Sequence, residues 1–147
     1  MRKIEFRGKR VDSGEWVYGY LLEKWAGKDK PRRFAIDPCI SFYEDGWTSW
    51  PDEVVEVIPE SVSQFTGLYD KNGKEIYEGD IVESRYMNPL NGREVIDRYN
   101  VALAKSTLYK MVHSTGQQCR EGLLFIRHER VKIVGNIHDN PEILKAT

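Results

Sequence analysis

The sequence has few of the residues from which catalytic or metal centres are assembled. Its two cysteines, Cys39 and Cys119, lie far apart and outside any C-x-x-C pair. Neither a zinc site nor a disulfide framework is indicated, and two reduced thiols are expected. The three histidines, His113, His128 and His138, show neither H-x-x-x-H nor H-x-x-E-H spacing. An excess of one charge is missing too: 22 basic against 23 acidic residues leave a net charge of -1, which argues against a dedicated nonspecific binder of nucleic acid or anionic membrane. No apolar run approaches the roughly 18 residues of a membrane helix. The opening Met1-Arg2-Lys3-Ile4-Glu5 lacks the apolar centre of a signal peptide. The expectation is a cytoplasmic protein without membrane contact. Fixed-period repeats and low-complexity tracts are absent as well.

What is present is β-structure. Hydrophobic residues make up 40% of the 147-residue chain and aromatics 12%, enough to pack the core of one domain. The densest signal is the run from Gln64 to Val82. Asp70-Lys71-Asn72-Gly73 is a turn whose last residues tolerate positive φ, flanked by Leu68-Tyr69 and Ile76-Tyr77, so a tight hairpin is expected. Glu78-Gly79-Asp80 reverses the chain again, and Ile81-Val82 opens a further strand.

On the N-terminal side, Ile4 and Phe6 alternate with Lys3, Glu5 and Arg7, the period of a strand with one buried face. Asp12-Ser13-Gly14-Glu15 turns the chain into Trp16-Val17-Tyr18-Gly19-Tyr20-Leu21-Leu22, where Gly19 predicts a bulge or a close backbone approach. Phe34-Ala35-Ile36 and Val54-Val55-Glu56-Val57-Ile58 read as strands, the second stopped by Pro59. Asp45-Gly46-Trp47-Thr48-Ser49-Trp50 reads as a turn, and residues 60–63 as one helical turn. On the C-terminal side, Asn88-Pro89-Leu90-Asn91-Gly92 is a turn, and residues 95–103 read as a strand or a short helix, the alternation of Tyr99, Val101 and Leu103 favouring the strand,. Strands are also expected at 108–112, 123–126 and 131–134, a polar loop at 114–118, and a last helical turn over Glu142-Ile143-Leu144-Lys145,. The fold class is therefore mainly β: a small antiparallel SH3-like barrel or curled sheets with short helical turns, in one unit over 1–147 that divides into an N-terminal β region (1–60) and a barrel-like region (61–147).

Three stretches carry a resemblance. The first is Gln64-Phe65-Thr66-Gly67-Leu68 with Asp70-Lys71-Asn72-Gly73-Lys74-Glu75-Ile76-Tyr77-Glu78-Gly79-Asp80-Ile81-Val82. The second is Ile4-Glu5-Phe6-Arg7-Gly8-Lys9-Arg10 with Gly14-Glu15-Trp16-Val17-Tyr18-Gly19-Tyr20, and the third Val134-Gly135-Asn136-Ile137-His138-Asp139-Asn140-Pro141-Glu142. Together they resemble the YopX family of bacteriophage and prophage proteins, with Phe65 and His138 standing where other aromatic residues are usual. The family's name describes no reaction. The resemblance implies a largely β, cytoplasmic, phage-derived accessory protein that self-associates, with a hexamer among the assemblies it allows, and that meets a host or phage protein.

Candidate chemistry is thin beside this. Asp70 to Gly73 has the look of a calcium loop, yet with Gly73 sixth, the first and twelfth positions are Leu68 and Gly79, so the end ligands fail. Glu75, Glu78 and Asp80 cluster in sequence, but at a hairpin they read as turn and solvent-face residues, with Asp80 closing an Asx turn. Cys119 with His113 or His128 has no spacing that makes a nucleophile pair, and a thiol packed as a small hydrophobe is the simpler reading. No enzyme, metal or cofactor is expected.

Two association modes remain. Lys24, Trp25, Lys28, Lys30, Arg32 and Arg33, beside Phe34, put cations and aromatics in one loop, the pairing used on nucleic-acid backbones and bases. Arg120, Arg127, His128, Arg130 and Lys132 form a second basic concentration, so loops 24–34 and 120–132 are the candidate nucleic-acid contacts. Gly79-Asp80-Ile81-Val82 is similar to the strand entry of small SH3-like barrels, some of which bind nucleic acid, an analogy of fold alone. The same charges serve equally to solvate loops and discourage edge pairing. Self-association is the other mode: Trp16, Trp25, Trp47, Trp50, Tyr18, Tyr20, Phe42 and Tyr43 are more large rings than one small core easily encloses, and aromatics are enriched at interfaces.

Overall fold

The computed structural model describes residues 3–24, 27–38, 54–103, 109–113, 118–124 and 128–145, with residues 24 and 118–123 described by their backbone. The chain divides into two compact units, Met1–Phe65 and Thr66–Thr147.

In the first unit, β1 (Phe6–Lys9), β2 (Trp16–Lys24), β3 (Arg33–Asp37), β4 (Val55–Val57) and the start of β5 (Ser63–Tyr69) are antiparallel neighbours in the order β4-β3-β2-β1-β5. The expected N-terminal hairpin is there, with Phe6 opposite Gly19 and Lys9 opposite Trp16. Lys24 and Arg33 are paired strand residues, so the connection between β2 and β3 is shorter than composition suggests. Pro59 stops the β4 segment by opening a single 3-10 turn, Pro59–Ser61, and Ser63 already belongs to β5. Ile36 and Val57 are fully buried on the inner face. Gly19 is a close approach: with φ at 155°, a Cβ there falls 2.0 Å from the carbonyl oxygen of Asp37. The predicted turn at 45–50 lies outside the described residues.

In the second unit β5 continues into the hairpin with β6 (Glu75–Tyr77). The turn is shaped as the sequence predicts, with Gly73 at φ 79° and its N–H donating to Asp70 O,. A second sheet then runs in the order β10-β9-β8-β7-β11, built from β7 (Asp80–Met87), β8 (Glu94–Leu103), β9 (Tyr109–His113), β10 (Gln118–Leu123) and β11 (Lys132–Asn136). All its described pairings are antiparallel. β10 begins at Gln118, which pairs with Val112; of the strand expected at 123–126, Leu123 lies in β10, and residues 125 and 126 lie outside the described residues. A 3-10 turn, His128–Arg130, precedes β11, and the last helical turn, α1, spans Glu142–Lys145.

Of the two architectures offered by the sequence, curled sheets are observed and a closed barrel is not. Among the described residues β10 and β11 remain the two edges of the second sheet. Closing a barrel requires those edges to meet. One face of this sheet carries the core: Ile76, Val82, Tyr99, Val101, Tyr109, Met111, Leu124 and Val131 are buried together, with Leu68 and Ile133 against them. The alternation along β8 explains this, since Tyr99 and Val101 point inward while Asn100 and Ala102 do not,.

Gly19→Ala is expected to be severely destabilising, by roughly 3 kcal/mol or more, because backbone rather than a flexible side chain blocks the added methyl. Urea unfolding of the purified variant, compared with Gly14→Ala at a position where a Cβ meets nothing within 4 Å, measures the close approach apart from positive φ.

Candidate functional site

The feature of the second unit that packing does not consume is its longest hairpin. β7 and β8 pair from Ile81–Asn100 out to Met87–Glu94. β11 accompanies β7 only as far as Glu83, and β9 accompanies β8 only from Tyr99 onward. From Ser84 to Asp97 the two strands therefore continue as a ribbon with no further strand partner among the described residues. Such a ribbon is marginal by itself, and two devices hold it. At its end, Asn88 and Asn91 carboxamide oxygens accept the N–H groups of Leu90 and Arg93, both at 2.9 Å, as the turn chemistry of asparagine allows.

At its base lies an ion cluster. Glu83 is 4% exposed and faces Arg98 of β8 on one side and Lys132 of β11 on the other. Arg85 Nε donates to Glu83 Oε1 at 2.7 Å, Arg98 Nε to Oε2 at 3.1 Å, and Lys132 Nζ stands 3.8 Å from Oε1. Arg98 also donates to the carbonyl of Ile143 in α1 at 3.4 Å, and Arg85 Nη1 is 3.7 Å from Glu94 across the ribbon. Burial pushes the Glu83 carboxyl up, but the Arg85 and Arg98 hydrogen bonds outweigh it and hold the group below its ordinary range,.

The ribbon carries apolar side chains into solvent. Tyr86 is 51% exposed, Met87 62%, Leu90 93% and Ile96 37%, a concentration that a folded chain ordinarily hides or uses. On one face Tyr86 pairs with Val95, and on the other Arg85 pairs with Ile96.

The predicted nucleic-acid contacts are placed differently. Arg32 pairs with Glu23 at 3.1 Å, and Arg33 grips Glu56 with both nitrogens at 2.7 and 2.5 Å; both arginines are thus neutralised by neighbouring strands. Lys28 and Lys30 are exposed in the β2–β3 connection, Lys24 ends β2, and Trp25 lies outside the described residues. In the second concentration, Arg120 lies on β10 and Arg127 outside the described residues. Lys132 is drawn toward Glu83, Arg130 is exposed, and His128 Nδ1 is 2.8 Å from Tyr69 O. Of these candidates, Arg32 and Arg33 are ion-paired and Lys28 and Lys30 are exposed.

Nor do the candidate acids assemble. Asp80 is 2% exposed rather than on a solvent face, and its Oδ2 accepts the Tyr77 N–H at 2.8 Å, the expected Asx closure. Glu75 accepts from the Tyr77 hydroxyl at 3.2 Å. The Asp70 carboxylate takes the N–H groups of Asn72 and Lys74 through Oδ1, at 2.9 Å each, and of Ile133 through Oδ2 at 3.0 Å. Burial alone raises its pKa; these three donors outweigh it and lower the pKa. Its oxygens serve the fold, and a calcium loop is not what they build. His113 Nε2 stands 3.1 Å from Asp97 Oδ1 and edge-on to Tyr99. Among the described residues no three His, Cys, Asp or Glu side chains are grouped to hold a metal ion, and no helix is long and apolar enough to cross a membrane.

With this geometry established, the comparison with protein families is decisive: the model described as YopX protein matches residues 5–145. The chain belongs to the YopX family. No curated protein matches it. Among solved structures, this YopX chain is similar to protein EF1440 from Enterococcus faecalis, at 22% sequence identity and a TM-score of 0.55, over 98% of this chain and 99% of that one. At that identity the likeness is one of fold. The YopX match takes in the β7–β8 ribbon and the Glu83 cluster, neither of which contributed to the three stretches first recognised in the sequence. The cluster had a legible trace, since Glu83, Arg85 and Arg98 alternate suitably along their strands, but which strands are neighbours is not written in the chain.

Glu83→Gln is expected to cost about 1–3 kcal/mol, because it leaves Arg98 and Arg85 facing a neutral amide in a partly buried setting. A carboxyl with a depressed folded pKa stabilises fully above its unfolded value of about 4.3 and loses that contribution as pH falls through the folded value. Thermal melts should therefore show a gap between wild type and Glu83→Gln that is constant above about pH 5.5 and narrows below about pH 4.

Proposed function

We propose that this YopX-family chain is a non-enzymatic phage or prophage accessory protein that acts in the cytoplasm through self-association and contact with another protein. The observation that supports this reading most is the unflanked β7–β8 ribbon with Tyr86, Met87, Leu90 and Ile96 exposed on it. An apolar surface anchored by a buried ion cluster gains free energy when a partner covers it, and exposed strand edges offer main-chain hydrogen bonds to whatever does so. The half-exposed Tyr18 and Tyr20 of β2, at 44% and 48%, add a second aromatic surface of the kind enriched at interfaces. A nucleic-acid module using loops 24–34 and 120–132 has less support, since Arg32, Arg33 and Lys132 already face carboxylates.

Light scattering across a concentration series decides between them: self-association gives a mass that is a multiple of 17.1 kDa, and a hexamer gives six times that value. A mass that stays at one chain at every concentration defeats the reading. Fluorescence anisotropy with single- and double-stranded DNA at low salt is expected to give no binding in the micromolar range, and tight, salt-sensitive binding transfers support to the nucleic-acid reading.

A further inference from the structure

The ribbon also indicates what kind of surface it fits. Its outer edge runs from Arg93, the residue before β8, along β8 to Asp97, and side chains alternate between the two faces of the ribbon,. Arg93, Val95 and Asp97 share one face; Glu94 and Ile96 share the other. Val95 is half-buried, backed by Tyr86 on β7. Arg93 makes no ion pair among the described residues, and Asp97 turns Oδ1 to His113, while its Oδ2 has no hydrogen bond among the described residues. The arrangement is therefore Arg, apolar, Asp at alternate positions along one edge. Read backwards, it is its own electrostatic complement.

We propose that this edge pairs with the same edge of a second copy, antiparallel about a two-fold axis passing at Val95. The proposal rests on the self-association reading and names the surface that carries it. In this register Val95 lies opposite Val95 of the second copy, and Arg93 lies opposite Asp97 of the second copy at each end. The four strands β7-β8-β8-β7 become one continuous sheet, which supplies the further strands that a two-stranded ribbon needs. On that face Tyr86 and Val95 of both copies form one apolar strip closed at each end by an Arg–Asp pair. An isologous contact of this kind requires self-complementarity, and the order of charges provides it. The β7 edge lacks this order, since a two-fold axis at Arg85 sets arginine against arginine. Slipping the β8 register by one residue turns the apolar strip to the wrong face.

Two measurements test it. With Cys39→Ser and Cys119→Ser as background, Val95→Cys is expected to form a disulfide-linked dimer on mild oxidation. Directly opposed residues of antiparallel strands have Cα atoms about 4.5–5.5 Å apart, within disulfide reach. Tyr86→Cys is expected not to, its counterpart lying three strand spacings away, about 14 Å. Separately, Arg93→Asp and Asp97→Arg should each weaken association about tenfold or more by setting like charges together, while the doubly exchanged chain regains the wild-type dissociation constant in sedimentation. If the wild type associates but Val95→Cys fails to cross-link, or the double exchange stays as weak as the single ones, the edge assignment is wrong and the broader reading survives. A wild type that never associates ends both.

Discussion

The carboxylate of Glu83 sits where three structural elements must agree. It is the last residue of β7 that β11 accompanies, it lies directly opposite Arg98 on β8, and its nearest cation, Arg85, is the first arginine of the unflanked ribbon. One buried acid thereby ties the edge strand, the central pair and the projecting hairpin, and through Arg98 it reaches the carbonyl of Ile143 in α1. A charge so enclosed is tolerable only because several cations meet it with good geometry. The consequence is directional. Arg85 is held down toward the sheet, and its strand neighbours Tyr86 and Met87 are left to solvent. The base is tied by ion pairs and the apolar end is exposed, which suits a contact surface better than a packed one.

A similar division of labour appears at Asp70. Its carboxylate could have served a metal, yet all its described hydrogen bonds go to backbone amides: two close its own turn, and the third, from Ile133, fastens the β5–β6 hairpin to β11. The acids of the central stretch thus act as structural acceptors. That is why a region so dense in carboxylates looks like chemistry in the sequence and works as carpentry in the fold.

The hairpins were legible because their signals are local. Asn72-Gly73 in a tight turn, Gly19 against a backbone, Pro59 stopping a strand and the alternation of Tyr99, Val101 and Leu103 each follow from a few adjacent residues,. What could not be read were the non-local relations. Arg32 and Arg33 looked like one cationic patch with Lys28 and Lys30 until strand pairing set Glu23 and Glu56 beside them. The choice between a barrel and open sheets turns on whether β10 and β11 meet, a contact to which neither strand's sequence refers. The Glu83 cluster needed the order β8-β7-β11, which joins residues 83, 98 and 132. Nor does the sequence show that β10 begins at Gln118, within what reads as a polar loop, because its partner Val112 lies on another strand.

An exposed ribbon carries a hazard along with its use. Two edges without a strand partner among the described residues, bearing tyrosine, valine and isoleucine, invite pairing with any extended chain,, so in the proposed contact role the ribbon must also discriminate. Charge order does this more cheaply than shape. An edge reading Arg93, Val95, Asp97 accepts its own reversal, but a parallel approach in the same register brings arginine against arginine and aspartate against aspartate. Discrimination of this sort depends on the backbone staying in register, and the base of the hairpin sets that register. Were Arg85 not fixed to Glu83 and braced across to Glu94, the two strands could slip, and a slip of one residue would take Tyr86 off the face that Val95 occupies,. The buried carboxylate and the surface ion order are therefore two parts of one device, the first preserving the geometry in which the second can be read.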